Sequence, residues 1–115
     1  MTTSEDVDGF RVVTLRGEID AFTAPTLRFE FERLIGEASA ISTFVIDLAA
    51  VTFLDSSALG ALVGALRLLR ARGVTLRVVE PEGAVKRIFA QTGLDAVLAL
   101  YPTRELALSR GVVTE

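Results

Sequence analysis

Short apolar runs alternate with segments of helical spacing along the chain. Phe10 to Leu15 is rich in β-forming residues and ends at Gly17, which predicts a strand. A short preceding strand over Thr2–Val7 is possible, although spacing does not support it. Thr23 is a natural N-cap with Pro25 in the turn that follows. Leu27, Phe31, Leu34 and Ile35 then fall at i, i+4, i+7 and i+8, the stripe of an amphipathic helix ending near Ala38. Phe44-Val45-Ile46 is continuously apolar, as expected of a strand buried on both faces. Asp55-Ser56-Ser57 opens a second helix. Leu59, Leu62, Val63, Leu66 and Leu69 form its core stripe, and Gly73 ends it. A strand over Val74–Val79 follows, then a helix over Glu82–Thr92 with Gly93 just beyond it. A last strand covers Val97–Tyr101, and Thr103 caps a final helix through Leu108.

Strands alternating with helices predict an α/β fold with a mixed, largely parallel sheet of four or five strands. About four helices should lie mainly on one face, because the first already has a clear polar side. The chain has 115 residues, the size of one compact domain, and no linker or internal repeat divides residues 1–115.

Composition removes several chemistries. There is no cysteine, so disulfides, thiol nucleophiles and thiolate zinc sites are excluded. There is no histidine, which excludes imidazole-based triads and metal sites. Half of the residues are hydrophobic, yet the longest uncharged stretch in the middle, Ser56 to Leu66, is too short to cross a bilayer. Met1 to Val7 is polar and acidic, unlike a secretory leader, so a cytoplasmic protein is expected. The net charge of −3 gives no reason to expect nucleic acid. That charge is uneven: residues 1–57 carry ten acids against four arginines, and residues 58–115 carry five acids against eight basic residues. An acidic face favours a basic partner surface.

Candidate chemistry concentrates at two places. In Leu54-Asp55-Ser56-Ser57 a small hydroxyl sits at the start of a helix, where free amides and the helix dipole favour an anion. A phosphate on Ser56 would be tolerated there, although Asp-Ser before a helix is also an ordinary N-cap. Ser56 has no imidazole base, and Lys86, the sole lysine, is not spaced for a Ser-Lys dyad. No G-x-S-x-G elbow is present either, so hydrolase chemistry is not expected. In Gly17-Glu18-Ile19-Asp20 two carboxylates end a strand; such pairs bind ions or move protons, but more often cap turns. No phosphate-cradling glycine motif of the usual kinds occurs. Gly60 and Gly64 permit close approach of the sheet or a neighbouring helix. Phe29 lies off the first helix's core stripe. Ala61, Ala65 and Leu68 form a second stripe on the Ser56 helix that could face a partner.

Taken in order, these segments resemble the STAS domain family, and within it the bacterial anti-sigma factor antagonists. Gly17-Glu18-Ile19-Asp20 with Thr23-Ala24 is similar to the family's first loop. Val45-Ile46-Asp47-Leu48 is similar to its third-strand motif, and Phe53-Leu54-Asp55-Ser56-Ser57-Ala58-Leu59-Gly60 to its phosphorylation loop. Val85 to Leu94, with Arg87, Phe89, Thr92, Gly93 and Leu94, completes the set. The resemblance implies a STAS-like domain that switches partners and is not an enzyme. The unphosphorylated form binds an anti-sigma factor that is also a serine kinase and so frees a sigma factor. ATP-dependent phosphorylation of Ser56 ends the binding, and a PP2C-type phosphatase restores it. Asp20 and Asp55 flank Ser56 and contribute to docking, with Glu18, Ser57 and Ala58 beside them. No cofactor, metal, nucleic acid or membrane partner is implied, and self-association as a weak homodimer is left open. Ala58 stands where the family usually has glycine, which puts the choice of partner kinase in question. The alternative is a STAS accessory subunit of a transporter, or a nucleotide-binding STAS module, without a phosphorylation cycle. A metal-dependent hydrolase using Glu18, Asp20 and Asp55 lacks a base and enough ligands.

Overall fold

The computed structural model describes residues 2–37 and 40–109. Its elements are β1 (Thr2–Val7), β2 (Phe10–Ile19), α1 (Ala24–Gly36), β3 (Thr43–Leu54), α2 (Ser56–Ala71), β4 (Thr75–Val79), α3 (Ala84–Thr92), a 3-10 turn at Leu94–Ala96, β5 (Ala99–Tyr101) and α4 (Arg104–Ala107). The five strands form one sheet in sequence order. β1 runs antiparallel to β2, and every later pair is parallel, each parallel crossover carrying a helix. The expected mixed, largely parallel sheet with four helices is therefore what the chain builds.

The strand left open over Thr2–Val7 is present, and β2 and β3 run farther than expected. Thr2–Val7 is a strand despite its polar sequence, because Asp8 (φ 50°) and Gly9 (φ 86°) turn the chain back onto β2. Asp-Gly suits a tight hairpin whose central residues both need positive φ, so turn chemistry forms a strand that apolar spacing did not announce. β2 does not end at Gly17 but continues to Ile19. The pairing with β3 slips between Thr14 and Arg16 and again between Gly17 and Glu18, with Gly17 at φ 79°. The glycine is a bulge inside the strand, and two further rungs, Glu18 with Phe53 and Ile19 with Leu54, follow it. β3 also runs well beyond the expected Phe44-Val45-Ile46, from Thr43 to Leu54. The remaining boundaries shift by one to two residues, and α1 ends at Gly36; Ala38 lies outside the described residues.

Side chains alternate across the sheet and divide the core in two. On one face Val13, Leu15, Phe44, Ile46, Leu48 and Val78 pack against Leu27, Phe31 and Ile35 of α1, Leu62, Leu66 and Leu69 of α2, and Val85 and Phe89 of α3. The Phe31 and Phe44 rings meet edge to face with centroids 6.4 Å apart. The other face buries Phe10, Val12, Val45 and Val79 under Ala107, with Tyr101 and Leu108 beside them. Three helices thus share one face and the short α4 covers part of the other.

Two arginines hold α4 down. Arg77 donates to the carbonyls of Ala107 (2.8 Å) and Ser109 (2.9 Å). Its guanidinium lies 5.4 Å from the ring centroids of both Phe10 and Tyr101. Arg104 donates from Nε to the buried Asp47 carboxylate (2.9 Å), from Nη2 to Thr14 Oγ1 (2.6 Å), and from Nη1 to Glu5 (3.4 Å). One side chain of α4 therefore bridges β1, β2 and β3.

Arg104→Ala should cost about 1–3 kcal/mol in urea unfolding, since it strands the buried Asp47 carboxylate with its partner gone. Asp6→Asn should cost less than about 1 kcal/mol, because Asp6 is half-exposed and water screens its pair with the mostly buried Arg11. The hydrogen bond from Arg11 holds the Asp6 pKa below its ordinary value. That small contribution is present above the unfolded pKa, and its loss as pH falls through the lowered value should close the gap between Asp6→Asn and wild type.

Candidate functional site

The site is the junction of two loops at the C-terminal ends of adjacent parallel strands. The Asp55 amide donates to the Ile19 carbonyl at 3.2 Å, directly after the Ile19–Leu54 rung. β2 therefore delivers Asp20, and β3 delivers Asp55 and Ser56, to one place.

Asp20 closes its own turn. Its Oδ1 accepts from the amides of Phe22 (3.0 Å) and Thr23 (3.2 Å), and its backbone carbonyl accepts from Ala24 (2.8 Å). Thr23 precedes α1 as expected, but its hydroxyl does not cap the helix. Its Oγ1 instead accepts from the Asp20 amide at 2.9 Å, because Thr23 already has helical φ and ψ and its side chain points back into the turn. The tight turn leaves Phe22 no core position, and the ring is 92% exposed. Glu18 is exposed beside Phe53, which is itself 43% exposed.

Asp55 is the N-cap of α2: it is extended, and its Oδ1 accepts from the Ala58 amide at 3.0 Å. Its carbonyl accepts from Leu59 at 3.0 Å. Ser56 and Ser57 begin the helix, Ser56 exposed and Ser57 half-buried. Among the described residues the Ser56 hydroxyl makes no hydrogen bond, nor do the amides of Ser56 and Ser57. Capping is thus the work of Asp55 and leaves Ser56 free. Nothing hydrogen-bonds its hydroxyl to draw off the proton, so the geometry suits an acceptor of a group brought by another protein better than a self-activated nucleophile.

The structure brings Glu18, Asp20, Asp55, Ser56 and Ser57 to one end of the sheet. Ala58 is different: it is fully buried in the core, facing away from solvent at the inner side of the first turn. The expectation that its side chain touches a partner is corrected on that ground. Among the described residues no three acidic side chains form a group that could hold a metal ion. Phe22 was not anticipated as a site residue; the signal was a phenylalanine set between a strand-end aspartate and a helix start. Ala61 and Ala65 are buried, while Leu68 is 41% and Phe29 64% exposed. Of the small-residue stripe only Leu68 is therefore left to face a partner. Gly60 admits Arg28 of α1, whereas nothing stands near Gly64.

The fold and this loop define an α/β domain that presents a serine at a strand–helix junction. The STAS domain model matches residues 2–107, and the chain belongs to the STAS domain family. It is 33% identical over 111 residues to the anti-sigma-F factor antagonist RsfA of Mycobacterium tuberculosis, covering 93% of this chain and 84% of that one. A crystal structure of an anti-sigma factor antagonist from Mycobacterium paratuberculosis superposes with a TM-score of 0.86 at 38% identity, over 94% of this chain and 90% of that one. The anti-sigma factor antagonist SpoIIAA is similar in both of its solved forms. Its unphosphorylated form gives a TM-score of 0.80 at 26% identity, over 99% of this chain and all of that one. The phosphorylated form, from Bacillus, gives 0.72 at 25%, over 96% and 98%.

Asp55→Ala should lower stability by about 1 kcal/mol through loss of the cap, whereas Ser56→Ala should stay within about 0.5 kcal/mol of wild type. Parallel thermal melts check both, and a larger loss for Ser56→Ala would make Ser56 the cap.

Proposed function

We propose that this protein is an anti-sigma factor antagonist that switches partners through Ser56. Unphosphorylated, it binds an anti-sigma factor that is also a serine kinase, and the bound sigma factor is released. The kinase transfers the γ-phosphoryl group of ATP to Ser56 Oγ, releasing ADP and a proton. The phosphoprotein no longer binds, and a PP2C-type phosphatase hydrolyses the ester. On this reading the chain is a cytoplasmic binding protein and catalyses nothing itself.

One observation carries the reading: among the described residues the exposed Ser56 hydroxyl makes no hydrogen bond, beside an aspartate that does the capping. The similarity to named anti-sigma factor antagonists supports it, as does a phosphorylated form of one of them. The physics is consistent. A phosphate adds about −1.5 to −2 charges. It would join Glu18, Asp20 and Asp55 on a surface that must lose water when a partner docks. In the free protein the phosphate sits at a helix N-terminus, where the dipole favours it. The modification therefore acts on binding and leaves the fold in place. Asp20, Asp55, Glu18 and Ser57 surround the acceptor as docking residues. Phe22 adds an exposed aromatic of the kind that dominates interface energetics.

Wild type and Ser56→Glu, used as paired baits in lysate of the native host, test the reading. Wild type and Ser56→Ala should retain an ATP-binding serine kinase, and Ser56→Glu should bind it at least about tenfold more weakly, with all three equally stable. Equal retention of the same transport or membrane subunits by both baits would contradict it. With that kinase in hand, Phe22→Ala should weaken binding by about tenfold or more in calorimetry without lowering the melting temperature.

A further inference from the structure

Arg28 of α1 reaches across to α2 and lies against Gly60. A Cβ at residue 60 would stand 2.8 Å from Arg28 Nη2, so only glycine admits the guanidinium in this position. Arg28 has an acidic residue, Glu32, one turn along its own helix, yet makes no ion pair with it. Among the described residues Arg28 has no hydrogen-bond or charge partner at all. An unpaired guanidinium thus lies beside Gly60, at the upper end of a groove that Glu32, Gly64, Arg67 and Leu68 also line. Gly60 is i+4 from Ser56 and i+3 from Ser57, so all three share one side of the helix, about 6 Å apart per turn. α1 and α2 each follow a parallel strand and run in the same direction, which puts Arg28 and Gly60 at matching depths below the loops. Helical side chains lean toward the N-terminus, which for Arg28 is toward Ser56.

We propose that Arg28 receives the phosphate on Ser56. The inference rests on the reading of Ser56 as phosphoacceptor and names the group that holds the modified state. A rotation about the long side chain carries the guanidinium from Gly60 to the phosphate oxygens, and the planar fork can engage two of them at once. The other charges facing that position are Asp55 on the same loop and Asp20 and Glu18 on the neighbouring strand end, all acidic. Arg28 is accordingly the cation that offsets their repulsion of the phosphate. Arg28 is a positioning residue: it contributes to neither the fold's core nor the transfer step.

The test uses the full chain with phosphoserine installed at position 56 during translation, so that no kinase is needed. Phosphorus NMR then follows the second ionisation of the phosphate in wild type, Arg28→Gln and Arg28→Glu. Arg87→Gln is the control, since Arg87 lies on α3, whereas Arg67 shares a groove with Arg28. A nearby cation favours the dianion and lowers this pKa. Arg28→Gln should therefore raise it by about half a unit to one unit, and Arg28→Glu should raise it further, with Arg87→Gln unchanged. Coincident titrations of wild type and Arg28→Gln would overturn the proposal. Arg28 is exposed, and melts of the unphosphorylated variants should match wild type. If no serine kinase modifies the wild-type chain, the proposed function fails while this titration still reports on Arg28.

Discussion

Backbone pairing between β2 and β3 places every residue of the candidate site. β4 accompanies β3 only from Thr43 to Asp47, but β2 stays beside β3 to Leu54. The last rung, Ile19 with Leu54, is closed by the Asp55 amide on the Ile19 carbonyl. These are main-chain bonds, so no single side chain carries the juxtaposition of the two loops. The buried side chains of Ile19 and Leu54, both in the larger core cluster, anchor the rung from below. Loops can differ in sequence while the strand ends keep them at one fixed separation.

On the proposed reading, stability and function fall on different residues within that frame. Asp55 completes the amide bonding of the first turn of α2, and Ala58 fills the core beneath it. α2 itself is held by Ala58, Ala61, Leu62, Ala65, Leu66 and Leu69, all buried. Ser56 shares the turn with these groups and takes part in none of their contacts. A modification there changes the charge of the surface while the helix keeps its cap and its packing. Asp20 combines both kinds of work: its carboxylate closes a turn, and that closure is what turns the Phe22 ring outward.

Much of this was legible in the chain. The i, i+4, i+7 spacing placed α1 and α2, because amphipathic helices over one sheet face must bury one stripe. The continuous run Phe44-Val45-Ile46 announced a central strand, and all three residues are fully buried. The Asp55-Ser56 junction also stood out, since an aspartate before a helix has a specific backbone partner. Other features answered to forces that apolar spacing does not record. β1 exists because Asp8-Gly9 forms a hairpin, and as a polar edge strand it shows no alternation. Gly17 reads as a strand end but is a bulge, since a positive φ serves either purpose. Thr23 has the composition of a cap, yet its hydroxyl was captured by the Asp20 amide. The depth of Ala58 followed from its place on the inner side of the helix, which the motif alone did not state.

The central claim is that a charge on Ser56 alters the binding surface and leaves the fold intact. An amide proton–nitrogen correlation spectrum of the chain, with and without phosphoserine at position 56, tests it most directly. The account predicts shifts confined to residues near 20–28 and 55–60, with the core amides of β2, β3 and the rest of α2 unmoved. Shifts spread along α2 and through β3, or loss of signals there, would show that the phosphate unsettles the fold and would contradict the account.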